Sequence, residues 1–130
     1  VQETGEFVAN IGGQDMAQQM NLTAGDYPPD VNEFAVAGLT PVPSQVVAPP
    51  CVQESPVSME CKLRQVIQVS DKPNGGSIVI GEVVLFHIRD GVLDQNLLVD
   101  SAKLNPVMRL GGASYGIMTG SYDMIRPVIK

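Results

Sequence analysis

The residues of this chain best suited to chemistry lie in one short run near its carboxyl-terminal end. Arg109 can pair with a phosphate or a carboxylate, and Tyr115 offers a ring that carries a hydroxyl group. Gly111 and Gly112 between them let the backbone approach a flat ligand closely. The alternative is an ordinary turn with a surface arginine and a half-buried tyrosine. The run is not a dinucleotide fingerprint, because no helical pattern follows Gly116 and no βαβ unit surrounds it.

His87 is the only histidine of the chain, and it lies near the end of a predicted strand. At the mouth of a pocket, its imidazole could contact an anionic ligand or donate a proton. The alternative is a histidine at a strand end whose ring is satisfied by a backbone carbonyl. The sequence leaves both interpretations open.

Cysteine and carboxylate chemistry has less support. Cys61 falls on the apolar face of its predicted strand and is expected to be an inert core thiol. Cys51 follows two prolines and is expected to be exposed, with no basic neighbour in sequence to activate it. Glu60 is predicted on the wet strand face, solvated or paired across strands. A single histidine and the absence of C-x-x-C spacing leave too few ligands for zinc, so no metal site is predicted.

Length and composition limit the classes of protein to consider. The 130 residues suffice for one domain, which we expect to span residues 1–130. A net charge of −6 argues against a nucleic-acid binder, and no apolar run approaches the ~18 residues of a membrane-spanning helix. We expect a cytoplasmic protein with reduced thiols. The alternative is a secreted β domain with a Cys51–Cys61 bridge and a glycan at the sequon formed by Asn21, Leu22 and Thr23.

Short strands and helices are predicted to position these residues in the first half of the chain. The expected elements are a buried strand at 7–11, helices at 14–20 and 31–37, and a brief edge strand at 45–47. Asp30 is the expected cap of the second helix, and Gly38 is expected to end it.

Two longer strands dominate the middle of the chain. Residues 56–68 alternate apolar and polar side chains, which predicts a strand with one wet face. Residues 77–88 are apolar on both faces, and a turn at 71–76 joins the two strands into an antiparallel hairpin. A strand covered on both sides is typical of a closed barrel wall backed by a helix or a second subunit. A short helix is expected at 100–103, and residues 121–130 resemble an arm that docks on a partner.

Several motifs resemble the flavin reductase-like family, which includes the flavoredoxins and the reductase components of two-part flavin monooxygenases. Their order and spacing match the family from residue 4 to about residue 116. The matching segments are residues 4–11, 20–24, 30–34, 37–41, 54–57 with 60–61, 81–84 with 87–88, and 109–112 followed by Tyr115. The family's earlier strands, and the segment that holds the FMN phosphate, have no counterpart, so the chain is expected to lack the amino-terminal third of the domain.

The resemblance implies a mainly β (α+β) fold, an FMN-binding split β-barrel that is incomplete at its amino terminus. It also implies a homodimer, hydride transfer from NADH or NADPH to FMN, and service to a monooxygenase component. The flavin carries this reaction, so no catalytic side chain is assigned. The residues that the resemblance places in the flavin or nicotinamide site are Asn21, Thr23, His87, Arg109, Gly111, Gly112 and Tyr115. The alternatives are a non-enzymatic FMN-binding or dimerisation module and an inactive fragment.

Overall fold

The structure is a computed structural model that describes residues 1–73 and 75–129. Its elements are β1 (Glu6–Ile11), α1 (Ala17–Leu22), α2 (Glu33–Ala37), β2 (Pro41–Val42), β3 (Cys51–Val52), β4 (Val57–Gln68), β5 (Ser77–Ile88), α3 (Ser101–Leu104), β6 (Val107–Arg109) and β7 (Tyr115–Ile117). Short 3-10 turns lie at Gln14–Met16 and Asp90–Val92. The strands form three sheets, in the orders β1-β4-β5, β2-β3 and β6-β7, which confirms the mainly β composition.

The predicted antiparallel hairpin is confirmed and forms the centre of the fold. β4 pairs with β5 on one side and with β1 on the other, and both contacts are antiparallel. The register of β4 and β5 shifts between Glu60 and Cys61 and again between Leu63 and Gln65. Such bulges bend a strand pair and increase its twist. In the described part of the chain β5 remains an edge strand, so these strands alone do not close a barrel.

The apolar side chains of β5 are not covered on both faces within this chain, although their pattern predicted it. Ile78, Val79, Ile80 and Phe86 are 53%, 45%, 42% and 56% exposed. β5 contacts β4 along its whole length, but the described segments of the chain leave much of its surface in water. An apolar pattern on both faces of a strand indicates that both faces are buried in a contact. It does not indicate whether the contact is with the same chain or with another one.

The predicted wet face of β4 is buried near the start of the strand. Ser58 and Glu60 are only 3% and 0% exposed. The loop between β2 and β3 lies over this face, and residues 45–47 are bends within that loop. The prediction of an edge strand at 45–47 is therefore wrong. A loop that contains three prolines cannot form a regular ladder, so its free backbone N–H groups are satisfied by side chains of the sheet.

The predicted helices are present with shifted bounds. The helix expected over 14–20 is a 3-10 turn followed by α1, which ends two residues later. α2 begins two residues later than predicted because Asn32, rather than Asp30, caps it. The Asn32 side-chain oxygen accepts a hydrogen bond from the backbone N–H of Phe34 at 3.1 Å. Gly38, with φ of +66°, ends α2 as predicted. α3 begins one residue later than expected.

The chain after β7 has no regular secondary structure over residues 118–129. Tyr122, Ile125 and Ile129 are 83%, 91% and 94% exposed. Docking of this segment on a partner stays a prediction, and the last residue of the predicted arm, Lys130, lies outside the described residues, as does Asn74 in the predicted turn. Among the helices that the structure describes, none is long and apolar enough to cross a membrane.

Candidate functional site

The glycine-rich run is the turn of a small hairpin formed by β6 and β7. Arg109 and Tyr115 are direct cross-strand partners, and the guanidinium carbon of Arg109 lies 4.7 Å from the centre of the Tyr115 ring. This cation–π pair fixes the two side chains side by side. Gly112 has φ of +62°, a conformation that other residues adopt only with strain. Gly111 has neither a positive φ nor a neighbour that would meet a Cβ, so the turn itself requires glycine only at position 112.

A cavity of about 520 Å³ lies between this hairpin and α1. The structure brings together two of the predicted site residues there, because Asn21 and Tyr115 both line the cavity. The other lining residues are Ala17, Gln18, Leu22 and Ala113. The cavity combines apolar walls, one aromatic ring and two side-chain amides, with the Arg109 cation stacked on that ring. Its volume is within the range of small-molecule sites.

Thr23 does not line this cavity, although the preceding residue, Leu22, does. The Thr23 hydroxyl donates a hydrogen bond of 2.8 Å to the backbone carbonyl of Met20, one of the carbonyl groups in the last turn of α1. Thr23 lines a different, mainly apolar cavity of about 270 Å³, together with Met16, Met20 and Phe34 among others. The structure therefore gives Thr23 a local structural role and does not bring it to the same cavity as Tyr115.

His87 lines a third cavity, of about 450 Å³, together with Cys51 and Arg89 among others. Its Nε2 lies 2.6 Å from Oε1 of Glu60, so the ring is held by a buried carboxylate. The alternative of a backbone carbonyl partner is wrong. Ser58 is the direct cross-strand neighbour of His87, and Glu60 lies two residues further along the same face of β4, within reach of its ring.

Glu60 was predicted on the solvent-exposed face of its strand, but its side chain is fully buried. Its Oε1 also accepts the backbone N–H of Gln45 at 2.7 Å, and its Oε2 accepts those of Val46 at 2.6 Å and Val47 at 3.0 Å. Burial alone would raise the pKa of Glu60, but these donors and His87 outweigh it and lower the pKa to about 2. The available signal was the proline-flanked segment at 45–47, whose amides needed acceptors.

The two cysteines are both free and both buried, at 4% exposure for Cys51 and 3% for Cys61. The prediction that Cys51 is exposed is wrong, because β3 pairs with β2 and the Ser44 hydroxyl lies 3.5 Å from the Cys51 Sγ. Cys61 is confirmed as a core thiol, and burial raises its pKa. The two thiols do not form the bridge that a secreted domain would use.

Comparison with known proteins gives one consistent result. The sequence model of the "Flavin reductase like domain" matches residues 1–107. An uncharacterised protein of Aquifex aeolicus is 41% identical over 115 residues, which are 88% of this chain and 57% of the relative. The crystal structure of nitrilotriacetate monooxygenase component B from Bacillus cereus superposes with a TM-score of 0.85 and 31% identity, covering 94% of this chain and 61% of that one.

A second solved structure, the flavoredoxin of Desulfovibrio vulgaris (Miyazaki F), superposes with a TM-score of 0.78 and 27% identity. The superposition covers 95% of this chain and 64% of the flavoredoxin. The chain thus spans about three-fifths of the length of the proteins that it matches. The fold of those proteins is the one that the sequence motifs predicted.

Proposed function

The chain belongs to the flavin reductase-like family, and from that premise we propose that it is part of an FMN-binding oxidoreductase that transfers hydride from NADH or NADPH to flavin. The observation that carries the proposal is the Arg109–Tyr115 pair at the edge of the cavity that Asn21 also lines. A flat heteroaromatic ring needs apolar contact on its faces and hydrogen bonds at its edge. The cavity residues fit both requirements.

Each residue of this site has a distinct task in the proposal. Asn21, Leu22 and Tyr115 line the cavity. The Tyr115 ring and Leu22 would contact the flavin ring, and the Asn21 amide would hydrogen-bond its polar edge. Arg109, already oriented by its contact with Tyr115, supplies the positive charge for an anionic group of the cofactor. Gly112 holds the turn in its left-handed conformation, which keeps the hairpin short. Bound FMN would supply the hydride acceptor, and the protein would orient it and exclude water.

His87, Thr23 and Gly111 remain predicted members of the flavin or nicotinamide site. The structure places His87 and Thr23 on other cavities of the chain, so they are not adjacent to Tyr115 in this arrangement. A second copy or a longer polypeptide could bring these surfaces together. We therefore expect substitutions of these residues to weaken FMN binding by this chain less than substitutions of Arg109 and Tyr115.

The proposal includes a homodimer. Its support is the exposed apolar surface of β5, including Ile78, Ile80 and Phe86, which a second copy would cover. Sedimentation velocity of the chain tests this point, and a purely monomeric species at tens of micromolar contradicts it. The structural neighbour that is a monooxygenase component suggests a further partner of that class, and the free thiols are as expected of a cytoplasmic protein.

The experiment is a titration with FMN, followed by absorbance and fluorescence, and then an assay of NADH and NADPH oxidation with FMN present. We expect the Arg109→Met variant to bind FMN about 10- to 100-fold more weakly, since one charge-assisted hydrogen bond is worth roughly 1.5–3 kcal/mol. The matched control is Arg64→Met, because Arg64 is an exposed arginine that pairs with Glu82 on the long hairpin.

The outcomes separate the candidate functions. FMN binding with nicotinamide oxidation supports the oxidoreductase. FMN binding without turnover supports the non-enzymatic module instead. A chain that binds no FMN contradicts the FMN site assigned to these residues and favours the inactive fragment, and equal losses in the Arg109 and Arg64 variants contradict the role of Arg109.

A further inference from the structure

Three residues that can bind metal ions meet where β3 packs against the β4–β5 hairpin. The Sγ of Cys51, a carboxylate oxygen of Glu60 and an imidazole nitrogen of His87 all lie within 4.8 Å of one another. Cys51 and Glu60 are buried, and the His87 side chain is 32% exposed. The pairing of β4 with β5 brings Glu60 and His87 together, and β3, which belongs to the separate β2–β3 sheet, packs against β4 and adds Cys51.

The carboxylate of Glu60 can exchange a proton donor for a metal ion without losing its other bonds. Its Oε1 now accepts one backbone N–H and the Nε2 of His87. A cation placed between Oε1 and Nε2 would replace only the second of these. The backbone N–H groups of residues 45–47 would stay in place and orient the carboxylate, as the outer shell of a metal site does.

The distances require a small local adjustment. Ligand atoms of a tetrahedral zinc ion lie about 3.3–3.8 Å apart, as follows from Zn–N, Zn–O and Zn–S bonds of about 2.0–2.3 Å. The Nε2 to Oε1 separation of 2.6 Å would open by less than 1 Å. The Cys51 thiol, at most 4.8 Å from the other two atoms, would move by a similar amount.

The charges and the shape of the cluster favour a divalent, thiophilic ion. A Cys51 thiolate and the Glu60 carboxylate together neutralise two positive charges in a buried place, where an unpaired charge is costly. Cys51 and His87 also line the cavity of about 450 Å³, which leaves a fourth position open to water. Three protein ligands and one open position are a common zinc arrangement.

We propose that Cys51, Glu60 and His87 form a binding site for a divalent thiophilic cation such as Zn²⁺. The Cys51 thiol proton is released to solvent when the ion binds. The proton on Nε2 of the neutral His87 imidazole is exchanged through solvent for one on Nδ1, so that Nε2 becomes free to bind the ion. The site shares no residue with the cavity between α1 and the β6–β7 hairpin, so cation binding can be tested separately from flavin binding in that cavity.

The test uses Co²⁺ as a spectroscopic probe, with the flavin-free chain. We expect one Co²⁺ per chain with a thiolate-to-cobalt charge-transfer band in the near ultraviolet, and displacement of that band by an equimolar amount of Zn²⁺. The Cys51→Ala variant should lose the band and bind at least tenfold more weakly. The matched control, Cys61→Ala, removes the other buried thiol, which lies outside the cluster, and should keep the band.

A second measurement guards against a variant that does not fold. In the unsubstituted chain, Zn²⁺ should slow alkylation of Cys51 by iodoacetamide, read residue by residue in a mass spectrum, and leave the rate at Cys61 unchanged. The proposal is overturned if no Co²⁺ binds at micromolar concentration, if the band survives in Cys51→Ala, or if Zn²⁺ does not protect Cys51.

Discussion

The Glu60 cluster and the β6–β7 hairpin contrast in how they hold polar side chains. Glu60 is fully buried and accepts hydrogen bonds from three backbone amides and from His87. In the hairpin, Tyr115 is 40% exposed and Arg109 rests on its ring beside an open cavity. Buried polar groups must be satisfied from within the chain, whereas exposed ones stay available to a ligand. We therefore expect substitutions in the first region to change mainly the stability of the chain, and substitutions in the second region to change mainly flavin binding.

The largest effect is expected from Glu60→Gln. The amide keeps one acceptor oxygen but turns its NH₂ group toward N–H donors, so buried donors lose their partners. We expect the free energy of unfolding to fall by about 3–5 kcal/mol in a urea titration. The control is Glu82→Gln, because Glu82 pairs with Arg64 at the surface and its loss should cost less than about 1 kcal/mol. Equal effects of the two substitutions would remove the contrast.

A pH series sharpens the same contrast. Because the pKa of Glu60 is lowered from 4.5 to about 2 in the folded chain, the unfolded chain binds more protons between these values. The stability that this carboxylate contributes is present above pH 4.5 and is lost as the pH falls toward 2. Urea unfolding with a chelator present should show a steep loss across this window, and the loss should be shallower in Glu60→Gln. A parallel pH dependence in both proteins would contradict the assignment.

The smallest effect is expected in the turn of the exposed hairpin. Gly112→Ala forces a side chain into a left-handed conformation, so we expect a loss of about 1–2 kcal/mol in the same titration. Gly111→Ala is the matched control, because its backbone is not left-handed and a Cβ there meets open space. That variant should be neutral or slightly more stable. A larger loss of stability at position 111 than at position 112 would contradict the claim that the turn requires glycine only at position 112.

Local patterns predicted the elements that depend on neighbours in sequence. The β4–β5 hairpin follows from two long β-patterned segments around a turn-rich segment, and its bounds differ by at most one residue from those predicted. Gly38 ends α2 because its left-handed conformation stops a helix wherever it occurs. The order of short motifs likewise predicted the family, which the match over residues 1–107 confirms.

Sequence patterns did not predict the burial of residues that are covered by another segment of the chain. Alternation placed Glu60 on a wet face, since a carboxylate is usually solvated. The loop that covers it lies 13–15 residues earlier, and no periodicity records that its amides will turn toward this side chain. The same limit applies to Cys51, which follows two prolines and was predicted to be exposed but is only 4% exposed.

By itself, then, the sequence determined β1, the central β4–β5 hairpin, the family and the residues of the β6–β7 turn. Those features depend on side-chain periodicity, turn chemistry and motif order, which are local. Only the tertiary structure decided that Asn21 and Tyr115 share a cavity while His87 faces another, and that the buried Glu60 and Cys51 meet the half-buried His87 in one cluster. The reason is physical: strand register and a covering loop set these distances, and both arise from contacts between segments far apart along the chain.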